Sequence, residues 1–304
     1  MTGILMLEQA LNGLQFGLML FLLASGLTLV FGIMDMINLA HGALYMVGAF
    51  FTAWLVQTTQ SFWLGVLLAV LLTAVVGMVL EAALLRTLYA RDHLSQVLAT
   101  FALILIINES VRMIWGSDLA LSPPPGLTGP IELVPGLFYP SYRLVIIAVG
   151  LGIALILYLL VTRTRMGAWV RAGATNREMA MAMGINIRSL FTGVFGIGAA
   201  LCAVAGAMLG PLLAVQVGMG ENILILAFVV IVIGGIGSVW GAFVGAILVG
   251  FVDTLGRTLL PLIFREIFSP QFASAAGPAV ASIAVYLLMA VVLFVRPQGL
   301  FSGR

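Results

Sequence analysis

Asn38, His41 and Tyr45 are polar side chains at spacings of three and four in a largely apolar stretch. At 3.6 residues per turn, this spacing predicts one polar face of a helix, with Asn38 as its N-cap. Gly42 lies on the neighbouring face, where a small residue permits close helix approach in lipid. Because ionisable residues inside a membrane mark solute pathways, we predict that these four residues line a substrate pathway. The alternative is that Asn38 only caps the helix and His41 only bonds a neighbouring helix.

A second candidate is the glycine-rich stretch GGIGSVWGAFVGA, residues 234–246. A glycine inside a helix costs about 1 kcal/mol relative to alanine. Such a run therefore indicates a turn, close helix packing, or a backbone that a solute approaches. The later glycines recur every four residues and are typical of packing. Gly235, Gly237 and Ser238 stand at the break itself, and for them we predict a role in the substrate pathway.

A third candidate is the polar segment RMGAWVRAGATNREMAMAMGINIRSL, residues 165–190. Its charges, among them Arg171 and Glu178, make it too polar to cross a bilayer. Its alanine and methionine residues recur at helical spacing and predict a short amphipathic helix that ends at Gly184. Such a helix suits a groove on a soluble partner protein. The alternative is a helix that lies on the inner membrane surface.

Few residues of this chain suit other chemistry. The sequence has no Lys, no glycine-rich phosphate loop with its Lys, and no His/Cys/carboxylate cluster at metal-ligand spacing. An intramembrane hydrolase, with Ser238 as nucleophile and His41 or His93 as base, is a competing hypothesis. The residues around Ser238 do not form a nucleophile elbow. We therefore predict no catalytic residue, no bound metal and no cofactor.

The elements that must position these residues are membrane helices. Of the 304 residues, 62% are hydrophobic and 8% are charged, whereas soluble domains carry about 25% charged residues. The mean hydropathy is +1.22. Runs without Asp, Glu, Lys or Arg, such as 189–220 and 222–252, exceed the roughly 20 residues of a membrane crossing. Because backbone groups in lipid must be bonded internally, these runs predict helices.

We predict an all-α polytopic integral membrane protein with eight or nine transmembrane helices in a single domain, residues 1–304. The predicted spans are 11–33, 41–57, 62–84, 95–115, 143–162, 189–214, 222–236, 239–260 and 276–295. The seventh span is short, and the count is eight if it is a re-entrant half-helix. The run 224–250 also echoes 27–48, since each is apolar, broken by glycine and polar residues, and apolar again. Interrupted segments at corresponding places in two halves point to a transport pathway.

The placement of Arg predicts the orientation, because cytoplasmic loops are enriched in basic residues. The Arg-rich segment 163–188 is therefore cytoplasmic, and the Pro-rich segment 116–142, which has no Arg, is extracytoplasmic. Arg296 and Arg304 mark a cytoplasmic C-terminus, and counting back places the N-terminus outside. The first apolar run is too long for a signal peptide and is read as a retained span.

Three stretches together resemble the branched-chain amino acid permease family of bacterial ABC importers, in particular its H-type inner-membrane subunit. Two are GLTLVFGIMDMINLAHGALYMVGAF and GGIGSVWGAFVGAILVG. The third is similar to the family's coupling-loop motif of Glu, two small residues, three more residues and Gly. Here that motif is Glu178, Met179, Ala180, then 181–183, then Gly184, with Met179 in place of a small residue. The resemblance covers nearly the whole chain.

This resemblance implies a non-enzymatic permease subunit in a bacterial inner membrane that works by alternating access. Its implied partners are a second, similar permease, two cytoplasmic ATPase subunits that bind the ATP, and an extracytoplasmic substrate-binding protein. Coupling to the ATPases would fall on Arg171, Glu178, Ala180 and Gly184. Leu, Ile and Val are the implied cargo, with urea, short amides or another amino acid left open. A stand-alone channel or secondary carrier is a further alternative, although it has no need of an Arg-rich docking segment.

Overall fold

The computed structural model of the chain describes residues 2–36 and 38–301. This part forms eleven α-helices, four short strands and one 3-10 helix, Leu85–Leu88. The helices are α1 (Thr2–Met34), α2 (His41–Thr59), α3 (Phe62–Ala83), α4 (His93–Trp115), α5 (Ser141–Arg163), α6 (Arg165–Thr175), α7 (Arg177–Ala182), α8 (Ile187–Leu213), α9 (Met219–Gly234), α10 (Val239–Ile267) and α11 (Pro270–Val295). The strands are β1 (Asp118–Leu119), β2 (Pro130–Val134), β3 (Leu137–Pro140) and β4 (Val215–Gln216).

Each of the nine predicted spans corresponds to a helix, and the all-α polytopic class is confirmed. Seven of the described helices are long and apolar enough to cross a membrane: α1, α3, α4, α5, α8, α10 and α11. Helix α9 has 16 residues and is about 24 Å long. It is therefore shorter than the hydrocarbon core of about 30 Å. This short helix is the predicted seventh span.

Contacts within the chain gather into two compact units. The first unit contains Met1–Phe21, Pro125–Leu151 and Ala227–Arg304, and the second contains Leu22–Pro124 and Gly152–Leu226. Helices α1, α5 and α9 therefore each contribute a segment to both units. The prediction of a single domain over 1–304 is not tested by this division into two units.

In the second unit, α2, α3 and α8 pack together through small residues. A Cβ atom on Gly48 of α2 would lie 2.7 Å from the Cβ of Ala203 on α8. A Cβ atom on Gly77 of α3 would lie 2.5 Å from the Cβ of Ala199. Such contacts bring helix backbones close together, which is how helices associate without a hydrophobic driving force in lipid.

Two short strands join the ends of helices in the same unit. β1 pairs with β4 in antiparallel register, Asp118 with Gln216 and Leu119 with Val215. Nearby, Gln57 at the end of α2 donates from Nε2 to the carbonyl oxygen of Ala120 at 3.1 Å. The segments that follow α4 and α8 therefore lie at the level where α2 ends.

In the first unit, the beginning of α1 packs on α10. A Cβ atom on Gly17 would lie 3.0 Å from the Cα of Ile247. Helix α10 also packs on α11, and Arg257 links the two, with Nε 2.9 Å from the carboxylate of Asp253 and Nη2 3.2 Å from Ser282 Oγ. β2 and β3 form a hairpin before α5, with Ile131 paired to Tyr139.

Candidate substrate pathway and coupling segment

The first predicted pathway residues, Asn38 and His41, lie at the connection between α1 and α2. Helix α1 ends at Met34, and Asp35 is exposed with a φ of 50°. The predicted N-cap role of Asn38 is wrong, because α2 begins at His41 and Ala40 occupies the cap without a side-chain bond. Asn38 instead accepts a hydrogen bond at Oδ1 from the Ala40 amide at 3.1 Å. This local bond is the turn chemistry that Asn offers in place of a cap.

His41 is fully buried at the first turn of α2. Its Nε2 lies 3.0 Å from the Sγ of Cys202 on α8. Glycines on two other helices leave room for the ring, since a Cβ on Gly26 of α1 would lie 2.9 Å from Nε2 and one on Gly198 of α8 3.2 Å from Cε1. His41 therefore lies at the junction of α1, α2 and α8.

Several buried polar atoms near this junction have no hydrogen-bond partner among the described residues. They are Thr28 Oγ1, Asn38 Nδ2, His41 Nδ1 and Tyr45 Oη. Buried polar groups normally have partners, so a group of exceptions marks a place where a solute or water is expected. His41 and Tyr45 do share α2 at a spacing of four, as predicted, whereas Asn38 lies outside the helix.

Gly42 lies where α2 meets the beginning of α9. A Cβ on Gly42 would lie 2.6 Å from the carbonyl oxygen of Gly220. Beside this contact is a small, partly open pocket. It is lined by Leu39, Gly42, Ala43, Ile104, Asn108, Gly220, Glu221 and Leu224. Of the predicted pathway residues, only Gly42 lines it.

The pocket also contains two residues that sequence reasoning missed, Asn108 and Glu221. Asn108 Nδ2 donates to Glu221 Oε1 at 2.9 Å, across 113 positions of the chain. A signal for Glu221 was present, because it is the only Asp, Glu, Lys or Arg between Arg188 and Asp253.

The other three predicted pathway residues form the turn between α9 and α10, in the first unit. Gly235 and Gly237 have φ angles of 102° and 82°, which glycine adopts without steric cost. Ser238 is the N-cap of α10, and its Oγ accepts from the Gly241 amide at 3.0 Å. The segment after α11 packs on this turn, with the Phe301 amide bonded to the Gly234 carbonyl at 3.0 Å. Turn geometry and this packing account for the glycines, and their pathway role stays a prediction.

The coupling segment forms two helices where the sequence predicted one. Asn176 ends α6 and caps α7, accepting at its side chain from the Met179 amide at 3.0 Å. Gly184 follows the end of α7 with a φ of 86°. The Gly184 and Ile185 amides bond the carbonyls of Met181 and Ala180 at 2.9 and 3.1 Å. This is a glycine-terminated helix end, as predicted for Gly184.

Helix α7 presents its methionines outward. Met179, Met181 and Met183 are 60%, 52% and 79% exposed, whereas Ala180 is buried. Glu178 is exposed in the first turn of α7, where a carboxylate complements the helix dipole. Arg171 on α6 bonds the Val161 carbonyl near the end of α5 through Nη1. Of the four predicted coupling residues, Glu178 and Ala180 therefore lie on α7, Gly184 follows its end, and Arg171 lies on α6.

Arg177 ties this element to α1. Its Nε and Nη2 donate to the Ile33 carbonyl at 3.1 and 2.7 Å. Its guanidinium also lies 5.5 Å from the centre of the Phe191 ring on α8. Ile33 is in the last turn of α1, whose carbonyls lack helical partners and carry the negative end of the dipole. The break that leads to His41 begins two residues later.

A buried carboxylate joins α3 to α8 in the same unit. Glu81 is fully buried and accepts from Arg86 Nη2 at 3.1 Å, Tyr89 Oη at 2.7 Å and Thr192 Oγ1 at 2.6 Å. Burial and the bond to Glu81 raise the pKa of Tyr89, so its hydroxyl stays a donor. This network anchors the start of α8 immediately after the coupling segment.

These features agree with a membrane transport protein. Apolar helices interrupted at polar sites are typical of transporters, and a capped amphipathic element in an Arg-rich segment suits the docking of a soluble partner. The chain matches the family described as "Branched-chain amino acid transport system / permease component" over residues 9–295. It therefore belongs to this family.

Sequence matches to individual relatives support this family assignment over most of the chain. The chain is 30% identical over 309 residues to the high-affinity branched-chain amino acid transport system permease protein BraD of Pseudomonas aeruginosa, covering 97% of this chain and 95% of BraD. It is 28% identical over 319 residues to LivH of Escherichia coli, with the same coverage. It is 27% identical over 248 residues to the probable permease LivH of Methanocaldococcus jannaschii, covering 78% and 76% of the two chains. No solved structure matches the chain.

Proposed function

We propose that this chain is the permease subunit of an ATP-driven importer for Leu, Ile and Val in a bacterial inner membrane. Its partners are a second, similar permease, two cytoplasmic ATPase subunits and an extracytoplasmic binding protein. The relatives BraD and LivH are permeases of high-affinity branched-chain amino acid systems, and this supports the cargo. The chain itself supplies the path through the membrane, and its partners bind ATP.

The observation that carries the proposal is the construction of the coupling segment. Helix α7 is too short to fold by itself, yet Asn176 caps its start and Gly184 ends it. Its exposed methionines suit a groove on a soluble protein, because methionine adapts its shape to its partner. Arg177 bonds it to the last turn of α1. A force applied to α7 would therefore reach the break before α2.

Each of the two segments that carry the proposed orientation bonds one end of α1. Near its start, Asn12 accepts from Tyr139 Oη at 2.9 Å and from Arg143, beside the end of the Pro-rich segment. Near its end, Ile33 bonds Arg177 of the Arg-rich segment. We propose that the Pro-rich segment is extracytoplasmic and the Arg-rich segment is cytoplasmic. The proposed cytoplasmic C-terminus includes Arg296, and Arg304 lies outside the described residues.

The transport cycle follows from these parts. The binding protein releases an amino acid to the permease pair, and closure of the ATPases moves α7. Arg177 passes this movement to the end of α1, and the α1–α2 break changes the access of His41 and its neighbours to the two sides. The unpartnered atoms around His41 are the polar groups that this step rearranges.

The test is purification of the tagged chain from its native membrane in mild detergent, followed by uptake in proteoliposomes. We expect two ATPases and a second permease to copurify, and the complex with its binding protein to take up leucine only with ATP inside. Uptake of urea or acetamide in place of leucine would contradict the cargo. ATP-independent flux through the chain alone would replace the importer with a channel or carrier.

A further inference from the structure

Glu221 is an ionisable side chain that the proposed cycle does not use. It lies in the first turn of α9, and it is the only Asp, Glu, Lys or Arg between Arg188 and Asp253. Its carboxylate is held by Asn108 on α4, with 2.9 Å between Nδ2 and Oε1. Charged residues within membrane segments are costly and are usually retained because they serve a function.

The contacts of α2 show where this carboxylate lies along the helix. Gln57, near the end of α2, bonds the loop carbonyl of Ala120. Gly42 is fifteen residues earlier, which is about 22 Å along a helix axis. Gly42 touches Gly220, the neighbour of Glu221. Glu221 therefore lies beside the first turn of α2, far along that helix from the end that meets the loop.

The pocket around Glu221 has two chemical faces. Leu39, Ile104 and Leu224 line one part with aliphatic carbon, whereas Asn108 and Glu221 supply an amide and a carboxylate. Glu221 is exposed and Asn108 is partly exposed, so the polar pair is accessible. A mostly apolar wall with a few placed polar groups is the usual composition of a small-molecule site.

We propose that Glu221, positioned by Asn108, binds the ammonium group of an amino acid as it passes along the permease. The inference rests on the proposed function, which supplies a zwitterionic cargo with an aliphatic side chain. A carboxylate has about four acceptor positions, and Asn108 bonds only Oε1. Oε2 is therefore available for a charge-assisted bond to the cargo's ammonium group. The aliphatic side chain of the cargo packs against Leu39, Ile104 and Leu224.

The test compares three variants in the complete complex, reconstituted in proteoliposomes with leucine, urea and acetamide as probes. Glu221→Gln keeps the shape and the bond to Asn108 but removes the charge. We expect its kcat/KM for leucine uptake to fall at least about tenfold, because the ammonium group of the cargo loses its charge-assisted hydrogen bond. Glu221→Asp keeps the charge and raises KM by about threefold. Glu109→Gln, an exposed neighbour paired with Arg112, leaves uptake unchanged.

The wild-type complex separates this inference from the proposed function. If it imports leucine and Glu221→Gln imports leucine equally well, the ammonium site is wrong and the function stands. If it imports urea or acetamide but no amino acid, or none of the probes, both are wrong. Copurification of the ATPases checks assembly. Should Glu221→Gln not assemble, an unchanged KM in Glu221→Asp overturns the proposal.

Discussion

His41 is completely buried, with one hydrogen bond to Cys202 and one ring nitrogen without a partner in the described part of the chain. Leaving a buried polar group unsatisfied costs about 1–3 kcal/mol. Glycines at Gly26 and Gly198 leave room for the ring. A packing role by itself would be met by an apolar side chain at lower cost, so we predict that the imidazole has a role in transport.

The first prediction replaces that imidazole. His41→Leu should lower leucine uptake by the complex at least about tenfold while assembly is kept, because Leu fills the space but offers no polar atom. The matched control is Cys202→Ala, which removes the bond to Nε2 and should change uptake less than threefold. Uptake and copurification of the ATPases are the measurements. Normal transport by His41→Leu would reduce His41 to a packing residue.

A second prediction concerns the buried carboxylate of Glu81. Glu81→Gln removes the negative charge to which Arg86, Tyr89 and Thr192 donate hydrogen bonds. Breaking a buried pair costs about 3–5 kcal/mol, and we expect about 2 kcal/mol because Arg86 is 36% exposed. Thermal unfolding of the purified protein measures this loss. Glu109→Gln, from an exposed pair, should leave the unfolding temperature unchanged, and equal shifts in both variants would contradict the prediction.

At the scale of elements, the short helix α7 is held at both ends and tied to a distant helix. Its caps come from Asn176 and Gly184. Its tie to α1 comes from Arg177, whose two donors reach one carbonyl. Arg can do this because its guanidinium presents several donors in a rigid plane, which Lys does not. We therefore expect a displacement of α7 to reach α1 through Arg177.

The third prediction is that Arg177 couples ATP hydrolysis to transport. In the complete complex, Arg177→Ala and Arg177→Lys should lower the ratio of leucine transported to ATP hydrolysed at least about fivefold, with ATP hydrolysis maintained. Arg188→Ala, at an exposed Arg in the same segment, is the control and should keep the wild-type ratio. Parallel assays of uptake and ATP hydrolysis give this ratio. An unchanged ratio in both Arg177 variants would show that the bond to Ile33 serves only to hold the fold.

A fourth prediction tests the end of α7. Gly184→Val places a β-branched residue at a φ of 86°, which costs about 1–2 kcal/mol. In this variant the backbone amides of positions 184 and 185 should exchange hydrogen at least about fivefold faster, because their bonds to the carbonyls of Met181 and Ala180 open more often. Gly152→Ala is the control, because a Cβ there meets no atom within 4 Å. Exchange rates at α7 that do not change would contradict this account of the helix end.

At the scale of the whole molecule, the orientation in the membrane decides what each exposed segment meets. The β2–β3 hairpin lies in the segment proposed to face outward, and the segment after α11 packs on the α9–α10 turn. Under the proposed function, outward segments meet the binding protein and inward segments meet the ATPases. The side of the membrane on which each terminus lies therefore decides which partner that terminus can meet.

The fifth prediction is made in a Cys202→Ala background, which removes the chain's single cysteine. A membrane-impermeant maleimide added outside intact spheroplasts should label Glu132→Cys in the hairpin. It should label Gln298→Cys only after the membrane is opened, as it does the inner reference Met183→Cys. Both positions and the reference are exposed in the structure. Labelling of Gln298→Cys from outside would place the C-terminus on the opposite side.

The sequence by itself determined the helices and their approximate bounds, because apolar runs and their breaks act locally and lipid requires internal backbone bonding. It also identified the end of α7 at Gly184, since a positive φ next to a helix favours glycine. It misassigned Asn38, because an Asn near a helix start serves a cap or a turn equally well, and only the path from α1 to α2 selects between them.

Only the tertiary structure decided which distant groups meet. Arg177 bonds Ile33 across 144 positions, and Asn108 bonds Glu221 across 113. The sequence shows the charge of Glu221 but not its partner, and it shows the break before His41 but not the glycines of α1 and α8 beside the ring. Local patterns act within a turn or two of helix. Partners this far apart are set by how helices pack, which depends on the shapes of all their contacting side chains together.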